Sequence, residues 1–302
     1  MEIYYKYTKY FGLESIKNLY LRLSTPATLN DPFEAQLNGS VKNNILESLE
    51  KDLISRPTFN SNLDLVRRIA SNSTTHHINQ FGIVALSETP RNLLMWAHYA
   101  NEHKGLCIGL KPDLFKKEAN INTTIESYTP IKVNYDSHRP AVTSNWIMNG
   151  YAARDHYIRQ QLITKSNDWM YEKEHRCIIA TRTADRFKLL NGYADMSDIN
   201  ELIEHYELVE VDDLTYEGNS EGMMDLSVIY SNNKDGVFLK KVDTSKIDSI
   251  YIGCKFDTNQ KNELIQEVKN SESKLSHVKI YECMLSKSHF ELQIELLHSP
   301  SM

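Results

Sequence analysis

Two glutamates, Glu172 and Glu174, stand two apart in the run Trp169-Met-Tyr-Glu-Lys-Glu-His-Arg176, which continues into the apolar Cys-Ile-Ile-Ala. On a strand, residues two apart share a face. That spacing sets Glu172, Glu174 and Arg176 side by side, with Tyr171, Lys173 and His175 opposite. Neighbouring carboxylates repel, so the proton affinity of one rises. Such a strained pair suits a site where one acid holds a ligand and the other acts as a base. A solvated edge strand with Arg176 neutralising Glu174 explains the same residues equally well.

Two further segments carry chemistry-bearing side chains. In Leu23–Glu34, Asn30, Asp31 and Glu34 could line a site on a proline-set loop. The plainer reading is that Asn30 and Asp31 cap the turn and Phe33 plugs the core. In residues 85–110, Ser87-Glu88-Thr89 ends an apolar strand just before a helix, where hydroxyls and free amides can bind an anion or a ligand carbonyl. Plain N-capping by Ser87 or Thr89 competes with that reading. His98 and His103, with Glu102, are five apart and so do not stack on one helical face. Their spacing is not that of a zinc-protease helix, and no metal site is expected. His98 is expected in a packed aromatic cluster.

These residues need elements to hold them. Strands are expected at 3–7, 19–24, 81–87, 106–110, 125–135 and in the run ending at 180. Helices are expected at 13–20, from Pro90 to a C-cap at Gly105, at 145–165 with Trp146, and at 197–209. Residues 41–80 read as polar helices broken at 55–62, and 217–227 reads as a loop. The C-terminal third alternates strand 249–254, helix 259–270, strand 277–285 and strand 289–297. The expected fold is one α+β domain over 1–302, with a mixed, mainly antiparallel sheet and a helical insertion at about 41–80.

Composition narrows the function classes. The 302 residues are 41% hydrophobic and 25% charged, which excludes a collagen-like, mucin-like or wholly disordered chain. The net charge of -6 argues against strong general nucleic-acid binding. Cys107, Cys177, Cys254 and Cys283 form no C-x-x-C pair, and the first three sit in apolar stretches, as buried thiols of a reducing compartment do. There is no signal-like N-terminus and no apolar run of about 20 residues. A cytoplasmic protein without membrane contact is expected. The phosphate loop, the dinucleotide glycine fingerprint and the serine-hydrolase elbow are all absent from the sequence.

Taken in order, YYKY (4–7), LRLSTPATLNDPFE (21–34), ALSETPRNLLMWAHYANEHKG (85–105), WMYEKEHR (169–176) and IDSIYIGC (247–254) resemble a large bacterial family known as domain of unknown function 2971. The sequence departs mildly at Leu29 and at His175-Arg176. The sequence of an aromatic and basic strand, a Ser-x-Thr strand end and a Glu-x-Glu strand also resembles the layout of ADP-ribosyltransferases. That resemblance implies NAD as a substrate, split sheets, and roles for particular residues. Tyr5 or Lys6 would touch NAD, Ser87 and Thr89 would brace it, Glu174 would be catalytic and Glu172 would assist. Asn30, Trp96 and His98 complete the expected NAD-binding set.

The implied function is an NAD-consuming ADP-ribosyltransferase or NAD glycohydrolase, a bacterial toxin or phage-defence effector. Its acceptor is open among protein, nucleic acid, small molecule and water. An antitoxin or self-association would supply its partners. One alternative is a non-catalytic ligand- or protein-binding module built on Trp96, His98, Tyr99, Trp169 and Tyr171. Another is a metal-dependent nuclease with Asp31, Glu34, Glu172 and Glu174 as ligands.

Overall fold

The computed structural model describes residues 2–55, 63–118, 122, 124–141, 151–190 and 197–300. The chain opens with strand β1 (Tyr4–Thr8), helix α1 (Glu14–Lys17) and strand β2 (Tyr20–Leu23). A 3-10 turn follows at Pro26–Thr28. Then come α2 (Gly39–Ile54), α3 (Leu63–Asn79), β3 (Phe81–Ser87), α4 (Leu93–Tyr99) and β4 (Leu106–Leu110). The middle holds β5 (Ser127–Lys132), β6 (Asn134–Asp136), α5 (Tyr151–Leu162), β7 (Thr164–Ser166), a 3-10 helix (Asn167–Glu172) and β8 (Glu174–Ala180). Next are β9 (Arg186–Leu189), α6 (Ser197–Tyr206), β10 (Val209–Asp212), β11 (Thr215–Glu217), α7 (Ser220–Tyr230) and β12 (Gly236–Lys241). The chain ends in β13 (Ile247–Ile252), α8 (Thr258–Lys269), β14 (Lys279–Leu285) and β15 (Leu292–His298).

The strands form an eight-stranded sheet, β15-β14-β13-β4-β1-β3-β8-β5, a five-stranded sheet, β10-β11-β9-β12-β2, and the pair β6-β7. In the large sheet every pairing is antiparallel except β13 with β14, which α8 connects as a crossover must. The class is α+β with mainly antiparallel sheets, as the sequence led us to expect. The central strands β4 and β8 are buried along their whole length, and β3 nearly so. This is why LCIGL, CIIA and FGIVALS read as apolar runs rather than alternating ones.

Strand β3 joins the two sheets. It pairs fully with β8, touches β1 only at Tyr5↔Ser87, and meets the end of β2 at the bridge Ser24↔Ile83. One apolar core spans both sheets, with Leu21, Leu23, Phe187 and Phe238 from the smaller and Val84, Leu86, Ile108 and Cys177 from the larger. On the other face of the large sheet, α3 and α5 bury Ile78, Ile158 and Leu162 against Ile83 and Ile178. Helix α4 buries Trp96 against Tyr7 and Cys107 farther along.

Several expectations need correction. Helix α4 is capped by Asn92, whose side chain accepts from the Leu94 and Met95 amides, not by Ser87 or Thr89. It ends at Tyr99, ahead of three successive left-handed residues, Asn101, Glu102 and His103, so Gly105 is not its C-cap. Residues 220–227 belong to α7 rather than to a loop, because Asn219 caps that helix and Gly222 lets it lie against Tyr206 and Leu208. Strands β9 to β12 carried no recognisable period of their own and went unforeseen. The 145–165 helix is described from Tyr151 to Leu162, and Trp146 lies outside the described residues. Cys107, Cys177 and Cys283 are buried, whereas Cys254 is half-buried. No described helix is long and apolar enough to cross a membrane.

Candidate functional site

A cavity of about 260 Å³ opens on the large sheet between the cover of α4 and that of α3 and α5. Cross-strand register builds its floor. Tyr5 of β1 lies opposite Ser87 of β3, which lies opposite Glu174 of β8. Beyond that row β1 and β3 part company. The Lys6 ammonium enters the gap and donates to the Ala85 carbonyl (3.0 Å), the only hydrogen bond of its side chain among the described residues. The proline-set loop closes the cavity from the side of the small sheet with Asn30, Asp31 and Glu34, and β2 contributes Arg22.

The two glutamates meet here by a route the strand pattern did not contain. Glu172 is the last residue of a 3-10 helix, and Lys173 turns left-handed (φ 47°) before β8 begins at Glu174. Both acids are buried, at 4% and 3% exposure, and both line the cavity. Glu172 accepts from the Tyr99 hydroxyl (2.6 Å) and from Lys165 Nζ (2.7 Å). Glu174 accepts from Lys165 Nζ (3.2 Å), Arg176 Nε (2.8 Å) and Arg176 Nη2 (3.0 Å). Arg176, wholly buried, also holds Glu34 in a bidentate pair at 2.5 and 2.8 Å and donates to the Leu162 carbonyl.

Burial and the neighbouring charges together set the ionisation of this network. Burial works to raise Glu174, but Arg176 and Lys165 together hold its carboxyl below the usual range. Burial also acts on Glu34 and, with the neighbouring Glu174 charge, outweighs Arg176 and the weaker pull of Lys165, which leaves Glu34 above the usual range. Lys165 loses stability as a cation through burial but gains more from Glu174 and Glu172, so it stays protonated. Across the cavity the balance differs. Burial lowers the Lys6 ammonium, and the nearby Arg22 guanidinium lowers it further against Glu174 and Glu172. Burial alone lowers Arg22, whose Nε is buried without a partner among the described residues.

Of the residues expected to bind NAD, Tyr5, Lys6 and Asn30 line the cavity. Ser87 lies beneath it, wholly buried, and its hydroxyl donates to the Glu172 carbonyl (2.7 Å), so it positions the acid turn. The Thr89 carbonyl accepts from the Tyr7 hydroxyl (2.6 Å), outside the lining. Trp96 is buried with its indole N–H on the Pro90 carbonyl. His98 is exposed on α4, edge-on to Tyr99, and the residues of that helix that reach the cavity are Met95 and Tyr99. Phe33 does not plug the core but stands 53% exposed, while Asp31 does accept from its backbone amide.

Sequence reasoning missed Arg22 and Lys165. Nothing in Leu-Tyr-Leu-Arg-Leu-Ser separates Arg22 from an ordinary polar position of an alternating strand. The pattern over 145–165 puts Lys165 in a helix, but that helix ends at Leu162 and Lys165 lies in β7. Beyond Lys165 and Glu34 lies a second cavity of about 230 Å³, lined by Phe33, Arg139 and the buried Gln161, whose side-chain oxygen has no partner among the described residues. Among the described residues no three His, Cys, Asp or Glu side chains group as metal ligands, and Lys165 and Arg176 fill the space between the acids.

Residues 95–177 match the model of a family described as proteins of unknown function, DUF2971. The matched stretch carries Tyr99, Lys165, Glu172, Glu174 and Arg176. It leaves out Tyr5, Lys6, Arg22 and Asn30. No curated protein and no solved structure matches the chain.

Proposed function

We propose that this chain consumes NAD, as an ADP-ribosyltransferase or NAD glycohydrolase, with Glu174 as the catalytic carboxylate and Glu172 as its assistant. One observation carries the reading: two buried glutamates line a single cavity at the point where β1, which bears Tyr5, parts from β3, the neighbour of the Glu174 strand. An ionised carboxylate there matches the charge of the reaction. As the bond between the ribose carbon and the nicotinamide nitrogen breaks, its electron pair leaves with nicotinamide and positive charge builds on the ribose. A fixed anion stabilises that charge more in the transition state than in the ground state. The acceptor, water or a hydroxyl or amine, then bonds to the ribose carbon and gives up its proton to Glu172. Each carboxylate has about four acceptor positions. Glu174 has filled three and Glu172 two, which leaves room for a ribose hydroxyl and an acceptor. The second cavity, across Lys165 and Glu34, is the side from which an acceptor other than water would approach.

The test is nicotinamide release from NAD by wild type, Glu174→Gln and Glu172→Gln, with and without cell lysate. Release should fall by about 10²–10³ in Glu174→Gln while its melting curve stays cooperative. Dependence on lysate would indicate an acceptor. A toxin or phage-defence role, which the family resemblance implies, then requires NAD to drop in cells expressing wild type but not Glu174→Gln. The heavy engagement of Glu174 by Arg176 and Lys165 favours one competing reading, a pocket that captures a ligand without turnover. Ligand binding with no release by folded wild type would establish it.

A further inference from the structure

We propose that Lys6 and Arg22 form an anion subsite that takes the phosphate group of a small phosphorylated ligand. In naming that group as the diphosphate of NAD the inference rests on the reading above. Its capacity for an anion does not.

The argument is one of unmatched charge. The cavity holds four cations and four acids, but they are not evenly paired. Lys165 and Arg176 absorb Glu172, Glu174 and Glu34 within hydrogen-bond distance. Asp31 is turned to its own loop, accepting from the Phe33 amide. Lys6 and Arg22 have no carboxylate partner among the described residues. The Lys6 ammonium meets one backbone carbonyl, and among the described residues the Arg22 side chain has no hydrogen bond, with its Nε buried. Buried polar groups are almost always paired, so an orphaned guanidinium nitrogen asks for an explanation. The two cations also stand close enough that Arg22 depresses Lys6, against the larger and opposite pull of Glu174 and Glu172. Like charges brought together in a cavity favour an anion between them.

The fold shows how they come together. Arg22 and Ser24 share a face at the end of β2, just where β2 bridges to Ile83 of β3. Lys6 fills the gap that opens because β1 leaves β3 after one pair. The subsite therefore sits in the joint between the sheets, on the β1 and β2 side of the cavity, while the glutamates come from β8 and the turn before it. A ligand with an anionic group at one end and ribose hydroxyls at the other would meet both walls.

The experiment is calorimetric titration of the purified full chain with inorganic pyrophosphate, ADP-ribose and the phosphate-free nicotinamide riboside. Wild type should bind pyrophosphate and ADP-ribose, more weakly as salt is raised. Arg22→Met should weaken both by more than about tenfold, since a hydrogen bond to a charged group is at stake. It should leave the riboside unchanged and hold or raise the melting temperature, because an unpaired buried group is removed. Arg22→Lys should recover part of the anion affinity. Pyrophosphate binding that is absent in wild type, or equal in Arg22→Met, would overturn the subsite. So would a lower melting temperature with unchanged anion affinity, which marks a structural arginine. Nicotinamide release is read separately, so a subsite without turnover, or turnover without the subsite, is recognised as such.

Discussion

Arg176 is the residue on which the acid cluster depends. It is wholly buried, and its guanidinium serves Glu34, Glu174 and the Leu162 carbonyl. Removing one partner of a buried pair is far worse than never having the pair, because the remaining charge stays buried alone. Arg176→Met should therefore lower stability by about 3–5 kcal/mol, measured by urea denaturation. The acids should also titrate apart. Glu34 lies above the usual carboxylate range and Glu174 below it, so Glu34 takes its proton first as the pH falls. A carboxyl lowered by folding stabilises the native state above its unfolded value of about 4.3, and that stabilisation is lost as the pH falls through the folded value. Lys165→Met removes one of the two cations on Glu174 and should move the acid limb of melting temperature against pH to higher pH. The Glu-x-Glu pair and its neutralisation by Arg176 could be read from residue types. The share taken by Glu34, from 142 residues earlier, could not.

At the scale of elements, the turn between the glutamates deviates most from the sequence pattern. A strand period across 169–180 puts Glu172 and Glu174 on one face. The chain instead uses a 3-10 helix and a left-handed Lys173 to bring both acids to the same cavity. A left-handed L-residue is strained by roughly 1–2 kcal/mol, and glycine is free of that strain. Lys173→Gly should keep thermal stability within about 1 kcal/mol of wild type, whereas Lys173→Val, β-branched, should lose about 1–2 kcal/mol. Asn92 ties this turn to α4. It caps the helix and its amide donates to the Tyr171 carbonyl. Asn92→Ala should lose about 1–2 kcal/mol in denaturant titration. Asn-Leu-Leu-Met was legible as a helix start in hindsight, but Pro90 and Thr89 offered an equally ordinary start two residues earlier.

Over the whole molecule, the joint at β3 decides where a site can exist. Gly82 is essential to that joint: a Cβ there would lie 2.4 Å from the Leu23 Cβ and 2.9 Å from the Leu23 Cα. Gly82→Ala should push β2 off β3, lower the urea midpoint by the equivalent of about 1–3 kcal/mol and weaken ligand binding with it. Apolar runs and turn residues by themselves determined the α+β class, the central strands, the helices of the 41–80 region and the strand-helix-strand end. Each of those follows from burial patterns a few residues long. Residue types and spacing singled out Asn30, Glu172 and Glu174, and the resemblance to ADP-ribosyltransferases added Tyr5 and Lys6. Only the tertiary structure decided that these share one cavity, that Ser87 supports it from below, that His98 is outside it, and that Arg22 and Lys165 belong to it. The physical reason is register: the pairing of β1 with β3 and of β3 with β8, strands far apart in the chain, sets the row Tyr5, Ser87, Glu174, and no local period encodes such a row.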